Sequence, residues 1–442
     1  MKLDFWKRWF GPPGKRSFVF HVTLLTSGTL VGQGLFVLLS PFLSRLYSPE
    51  AFGVLGVFVS TTGLLVSVAT LRYELAIPLP TEEEDARALA WVGALAAAGF
   101  SLLLFGLAFW VGPRYLRLFN IHLQSAEQER LLLLALPLGV GIFGLYQVLV
   151  YWLIRYKRYR ALAGSKVASG GVTVLAQLGL GLWSPGGWGL ILGWILGRLA
   201  AIGVCVGTER PRGGGEGRRL GFFPGVRAVL REMRRFVRFP LLTMPAGLMN
   251  ALAVEIPLLM SASLFGPQIA GWFSFARRIV YAPMSLVGRS VSQVYVGALS
   301  EAINRRDRSA ALHLFDRLSR RLFLLAVVPF LLLALVAPFL FRWIFGSVWY
   351  ASGVLVQYLT PTYLVHFVVV PLSQTLNLVE RQDWQMGWDF SRLVLVVGVF
   401  LLAKFLAWNF IYTFAVYSLV STLMYLIFYF LMRRALIQRV GA

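Results

Sequence analysis

The 442-residue sequence is 58% hydrophobic, only 14% charged, and carries a formal net charge of +23. A soluble domain of this length exposes far more charge, and the basic residues sit in short clusters between apolar stretches, which argues against a nucleic-acid footprint. The single cysteine, Cys205, lies in an apolar stretch, so the chain has no internal disulfide and no Cys/His spacing for a metal cluster.

Apolar stretches long enough to cross about 30 Å of hydrocarbon as helices recur along the chain. They predict twelve spans, at approximately 18–46, 50–77, 86–111, 131–154, 161–183, 187–207, 239–264, 268–297, 318–342, 350–378, 386–406 and 408–432. Transmembrane strands would alternate over about ten residues. Runs such as Leu322–Leu335 and Leu393–Leu402 are apolar all round, so the fold class is all-α and polytopic. The first apolar stretch is too long for a cleavable signal peptide and lacks a small-residue cleavage site.

The first span carries Thr26, Thr29, Gln33, Ser40 and Ser44 on one face, interleaved with Gly28, Gly32 and Gly34. Such a stripe either packs helices closely or faces a hydrophilic lumen. The turn Tyr47-Ser48-Pro49-Glu50-Ala51-Phe52-Gly53 follows it, with Pro suited to a helix start. The next connection, Leu71-Arg72-Tyr73-Glu74-Leu75-Ala76-Ile77, leads to Thr81 and Glu84, whose spacing predicts a capping box for the third helix. Arg198 in the sixth span and Lys404 near the end of the eleventh read as snorkelling side chains.

The segment from Thr208 to about 238 is rich in Gly and Arg and divides six spans from six. It reads as a flexible linker followed by a basic amphipathic helix over 226–236, lying on the membrane surface. The implied organisation is an N-terminal lobe over 1–207, a linker over 208–238 and a C-terminal lobe over 239–442. The lobes look related. Phe265-Gly266-Pro267-Gln268-Ile269-Ala270-Gly271 follows the seventh span, pairing Pro267 with Pro49 and Gly271 with Gly53. Six spans per half return the chain to the same side, so the repeats are parallel, and cargo in such proteins binds between them.

Charge placement fixes an expected orientation. The segments on one side hold most Lys and Arg residues; those on the other hold Arg45, Arg114, Arg117, Arg130 and Arg342. By the positive-inside rule both termini are cytoplasmic.

Ionisable groups inside spans are functional candidates. The eighth span is the richest, with Ser274, Arg278, Tyr281, Ser285, Arg289 and Ser292 near one face and Arg277 about 100° round the helix. A guanidinium stripe in a water-filled cavity suits a diphosphate, because Arg stays charged and forks around oxygen pairs. Arg278 alternatively pairs with a carboxylate such as Glu255, which sits mid-span between Pro245 and Pro257 and could equally neutralise Arg277 or Arg278. Glu255 is thus a candidate for ion coupling or for charge balance, and Asp389 is expected to pair with Arg392 three residues on. The register of the repeats puts Arg72 beside Arg289, so both halves are expected to offer an Arg at the inner mouth. Pro137, Pro257, Pro283, Pro329, Pro338, Pro361 and Pro371 interrupt spans.

The turn Tyr47–Gly53, the segment Leu71–Ile77, and Phe345-Gly346 with Trp349 and Ala351 resemble bacterial polysaccharide-exporting flippases of the Wzx type. These belong to the multidrug/oligosaccharidyl-lipid/polysaccharide exporter superfamily. The resemblance implies two six-helix lobes around a central cationic cavity and alternating access. It implies a cargo of undecaprenyl-diphosphate-linked oligosaccharide, moved to the outer leaflet of a bacterial inner membrane for O-antigen or other lipopolysaccharide and surface-polysaccharide synthesis. The arginines that family members place in the cavity are matched by Arg277, Arg278 and Arg289, whereas the first lobe offers only Arg45 and Arg72 near span ends. The implied partners are the lipid-linked substrate, membrane lipids, and polysaccharide polymerase and export proteins; no nucleic acid and no cofactor are expected. Energy is expected from a proton or sodium gradient, membrane potential, or removal of product, since no Gly-x-x-x-x-Gly-Lys-Ser/Thr motif is present.

Two other readings remain at this point. An ion-coupled multidrug exporter of the same superfamily would need an acidic, aromatic cavity. A membrane glycosyltransferase or polymerase would need a large outer loop or a catalytic carboxylate set. The longest outer loop, Gly112–Arg130, has only His122, Glu127 and Glu129.

Overall fold

The computed structural model describes residues 13–121, 126–183, 186–208, 224–305 and 307–439. Among them are fourteen α-helices. The first half contains α1 (Pro13–Leu46), α2 (Pro49–Ala69), α3 (Glu83–Leu118), α4 (Ala126–Arg155), α5 (Tyr159–Trp183) and α6 (Gly187–Gly207). A short basic helix, α7 (Val226–Arg235), precedes the second half: α8 (Met244–Phe265), α9 (Pro267–Asn304), α10 (Arg308–Phe345), α11 (Tyr350–Val369), the single turn α12 (Thr375–Leu378), α13 (Gln382–Phe405) and α14 (Phe410–Arg439). Each of the twelve expected spans coincides with a long helix, giving two six-helix halves. The expected span over 350–378 is interrupted, because Pro371 cannot donate to the ladder and a 3-10 turn over Val370–Leu372 follows α11.

Ten stretches are long and apolar enough to cross a membrane by length and composition. The two long helices that fall short are α5 and α9. Their hydropathy is lowered by Lys166, Ser165 and Ser169 on one and by Arg277, Arg278, Ser285 and Arg289 on the other. A polar residue in a span is tolerated where it faces a cavity or a partner helix, so these two helices point to the site.

Small residues set the packing. Gly28 and Gly32 lie so close to the α5 backbone at Ala163 and Lys166 that a Cβ would collide with it, which brings α1 against α5. The pseudo-symmetric turns then lock the halves together. Ser48 caps α2 through the Ala51 amide at 3.3 Å, with Pro49 as the first helical residue. In the second half Gly266, at φ +85°, takes the Ser48 position before Pro267. The α2 and α9 helices cross here: a Cβ on Gly53 would overlap the Pro267 carbonyl, and one on Gly271 would overlap the Pro49 carbonyl. Around this crossing, Trp349 donates its indole N–H to the Ser44 carbonyl at 2.9 Å. Ser44 donates to the Phe345 carbonyl at 3.0 Å. The rings of Phe52, Phe275 and Trp349 stand 4.2–5.3 Å apart between centroids. This end of the bundle is sealed.

The opposite end carries the basic connections. Leu71 and Arg72 both adopt left-handed φ, at 52° and 61°, a conformation that is uncommon for side-chain-bearing residues. The turn is held by Tyr73, which donates to the Met233 carbonyl at 3.0 Å. The capping box expected at Thr81 does not form: α3 begins at Glu83, and no side chain caps it. The reason is Arg155, which donates to the carbonyls of Ile77, Pro80, Thr81 and Glu82 and holds that segment away from helical register. The α7 helix, where a surface amphipathic helix was expected, packs on this segment. Arg231 and Arg235 pair with Asp85, and both also pair with the buried Glu232. These two carboxylates push the Arg231 guanidinium above its usual range. Residues 209–223, which include most of the expected flexible linker, lie outside the described residues.

Candidate functional site

Two adjoining cavities lie between the halves, below the seal. The one nearer the basic end has a volume of about 410 Å³ and receives Lys166 from α5, Arg198 from α6, and Arg278 and Arg289 from α9. Thr29 and Gln33 of α1 also line it, and Ser285 donates to the Gln33 side-chain oxygen at 2.9 Å across the halves. Among the described residues, no carboxylate is within ion-pair distance of any of the four cations. The Arg278 guanidinium instead stacks on Phe36, 3.3 Å from the ring centroid. Arg198 is caged by Phe143 at 4.5 Å, Trp194 at 5.1 Å and Tyr146 at 5.6 Å.

Each cation–π contact supplies about 0.5–2 kcal/mol, so the single ring under Arg278 falls short of the several kcal/mol per ion that withdrawal from water costs. The shortfall leaves charge in the cavity uncompensated by protein groups among the described residues, the electrostatic condition for holding an anion. The flat guanidinium of Arg198 can stack on a ring face, which an ammonium cannot.

The deeper cavity, about 480 Å³, reaches up to Phe52 and Phe275 at the seal and shares Trp194, Arg278 and Tyr281 with the first. Its walls are hydroxyl-bearing and aromatic: Tyr281, Tyr363, Tyr417, Tyr425 and Thr362, with Arg277 and Arg392. Both of these arginines are paired. Arg277 donates to Glu255 at 3.2 Å, and Ser60 of the first half donates to the same carboxylate oxygen at 2.6 Å. Arg392 lies 3.5 Å from Asp389 and donates to the Tyr425 hydroxyl at 3.0 Å. Tyr281 shares a 2.7 Å hydrogen bond with His366. Tyr363 is 4% exposed, and its hydroxyl has no partner among the described residues.

The structure therefore brings Arg278, Arg289, Ser285, Gln33 and Tyr281 to one cavity and puts Arg277 and Glu255 in a pair beside it. Asp389 is held by Arg392 on its own helix. Arg72 lies apart from both cavities: its guanidinium packs directly on Gly247 of α8 and pairs with Glu74 at 3.8 Å. It is removed from the Arg289 position because α2 ends at Ala69 and the left-handed turn redirects the chain. Arg45 is exposed on the last turn of α1. The side chain of Thr26 lies outside the described residues.

Arg198 does not snorkel; it faces the cavity, because Gly197 lets α6 lie against Thr173 and Ser169 of α5 and turns the next residue inward. Sequence reasoning also missed Lys166 as a cavity residue. The available signal was its setting among Ser165, Ser169 and Gly170 in a weakly apolar span.

The polysaccharide biosynthesis protein family model matches residues 42–353. The succinoglycan biosynthesis transport protein ExoT of Rhizobium meliloti (strain 1021) is 26% identical over 320 residues, covering 71% of this chain. The chain spans 60% of the length of that curated relative. Among solved structures, the inward-facing conformation of a multidrug resistance MATE family transporter of the MOP superfamily matches with a TM-score of 0.70 at 12% identity, over 95% of this chain and 94% of the other. A MOP superfamily transporter from Pyrococcus furiosus Vc1 (DSM3638), whose binding pocket is described as being of reverse polarity, matches with a TM-score of 0.60 at 13% identity, over 98% of both chains. At these identities the structures establish the fold. The family match covers most of the chain, and with the helices described above it leads to one conclusion: the chain is a multi-pass membrane protein belonging to the polysaccharide biosynthesis protein family, built on the fold of the MOP-superfamily transporters.

Proposed function

We infer that the protein is a flippase for a diphosphate-linked oligosaccharide carried on a polyprenyl lipid such as undecaprenol. It moves the unit from the cytoplasmic to the outer leaflet of the bacterial cytoplasmic membrane, with both termini cytoplasmic. The observation that carries this reading is the cavity with Lys166 and Arg198 from one half, Arg278 and Arg289 from the other, and no carboxylate facing them among the described residues. A diphosphate esterified at both ends carries two negative charges, which the four cations outnumber, and it offers oxygens for forked donors from both halves. The tyrosine-lined chamber above it suits sugar rings, whose hydroxyls meet Tyr363, Thr362 and Arg392 while their apolar faces lie on aromatic rings. The polyprenyl chain stays in the bilayer. The sealed end is the outer one in this reading, so the conformation is inward-facing.

Outward opening breaks the Gly53–Pro267 crossing and the Phe52–Phe275–Trp349 cluster while the basic end closes over the phosphates. Glu255 is the carboxylate best placed to couple an ion, since its protonation would loosen both Arg277 and the cross-half bond from Ser60. A proton or sodium gradient, membrane potential, or product removal by an outer-face polymerase each remains compatible. The products feed O-antigen, lipopolysaccharide or another surface polysaccharide.

A multidrug exporter for cationic compounds would need an unpaired acid in the cavity, whereas Glu255 and Asp389 are both engaged by arginine. The test is the leaflet location of the lipid-linked repeat in cells lacking the protein. Accumulation on the cytoplasmic face, relieved by the wild-type gene and not by the Arg278→Ala/Arg289→Ala variant, is expected. Normal export after redundant carriers are removed would overturn the reading.

A further inference from the structure

A third cavity lies on the face of α9 turned away from the cationic cavity. It is a groove of about 330 Å³ between α9 and α10. Its floor is apolar: Val291, Val294 and Ala298 from α9, with Leu314 and Leu318 from α10. Its rim carries Arg317 and Arg321, both exposed. The groove is separate from the cationic cavity, because at 100° per residue Val291, Val294 and Ala298 fall on the face of α9 opposite Ser285 and Arg289.

The depth of the groove is defined by α10. Arg321 immediately precedes the apolar run that begins at Leu322, so the groove opens where the hydrocarbon layer meets the headgroups. The rim charges are available. Asp316, the nearest acid in sequence, is held at both oxygens by Arg433, at 3.0 and 3.1 Å. Arg317 lies 2.9 Å from the His313 ring nitrogen, a partner that carries no negative charge to offset it.

We propose that this groove is a binding site for an anionic glycerophospholipid of the leaflet at the basic end of the bundle. The occupant must combine an acyl chain for the floor with a phosphate for Arg317 and Arg321, and an exposed site at this depth meets bulk lipid first. The cargo is a poorer fit, since its diphosphate has the four-cation cavity on the other side of the same helix. A lipid seated here braces the inner half of α9, the helix that carries Arg278 and Arg289. The proposal rests on the membrane placement of the chain and not on the identity of its cargo.

The experiment is native mass spectrometry of the full-length protein released from nanodiscs containing phosphatidylglycerol and phosphatidylcholine. The wild type is expected to retain one phosphatidylglycerol in preference to phosphatidylcholine. Arg317→Ala/Arg321→Ala is expected to lose that preference by on the order of 30-fold, from about 1 kcal/mol per basic residue at an anionic surface. Arg317→Lys/Arg321→Lys keeps most of it, and Val294→Phe, which fills the floor without touching charge, reduces it. Arg278→Ala/Arg289→Ala leaves it unchanged. Retention that survives both Arg317→Ala/Arg321→Ala and Val294→Phe, that is lost in Arg278→Ala/Arg289→Ala, or that is displaced by an equal concentration of polyprenyl phosphate would overturn the assignment.

Discussion

The two halves match at the seal and part company at the site. At the seal each contributes Pro, then Gly four residues on, and the two glycines meet the opposing proline carbonyls reciprocally. In the same register Arg278 is paired with Ser60, Arg277 with Val59 and Arg289 with Leu71. The second half therefore delivers its cavity cations from α9, the partner of α2, while the first half delivers Lys166 and Arg198 from α5 and α6. Close backbone crossing needs particular residues on both sides of a pseudo-twofold axis. A cationic cavity needs only total charge and reach, so its residues are free to come from any wall. Symmetry here belongs to the joint between the halves, and asymmetry to the cationic cavity.

This contrast can be broken at either end. The largest effect is expected at the joint. Gly53→Ala together with Gly271→Ala inserts two methyl groups into backbone carbonyls, costing about 1–3 kcal/mol at each position. The sealed end should open, read as faster labelling of a cysteine introduced at Phe52, with transport lost. Either single variant should produce the same phenotype, because the contact is reciprocal; a defect confined to one would show that the joint is not symmetric.

Next comes the asymmetric site. Removing Arg278, which touches both cavities, should lower flipping by at least about tenfold, the loss of one charge-assisted contact of about 1.5–3 kcal/mol. Insertion and Tm should be little changed, since an uncompensated charge is removed along with the contact. Arg198→Ala is expected to act in the same direction with a smaller effect, and Arg198→Lys to restore only part, because the ring cage is shaped for a planar group. Equal activity of Arg198→Lys and wild type would show that charge alone matters there. The smallest effect belongs to the basic end, where Asp85→Ala should shift Tm only slightly, since Arg231 and Arg235 keep Glu232 as a partner and are exposed to screening.

Much of this was legible in sequence, for a physical reason. Gln33 stands on a stripe along one helix, and Arg278, Tyr281, Ser285 and Arg289 stand on a single helix at spacings of three and four, so helical geometry alone placed each set on one face. Span count and the relation of the halves followed from hydropathy and the Pro/Gly register. What was not legible depended on contacts between helices. Lys166 and Arg198 are single charges on separate helices, and only the Gly197–Thr173 and Gly28–Ala163 packing turns them to a common space. Arg72 went the other way: the repeat register aligned it with the cavity, but two successive left-handed residues carry the chain off that register. The stripe on α1 divided between both readings, its glycines packing on α5 while Thr29 and Gln33 reach the cavity.

The tyrosine-lined chamber has one further consequence. It is bounded below by the cations and above by the ring cluster of Phe52, Phe275 and Trp349, and it encloses about 480 Å³. On the proposed function, such a compartment acts as a length gauge: a short saccharide attached at the phosphates would fit beneath the lid, and a polymer would not. For a carrier of lipid-linked sugars this fixes the order of assembly. Building blocks would then cross one at a time and be joined only afterwards, so the ceiling of one chamber would separate the chemistry of making a repeat from the chemistry of stringing repeats together.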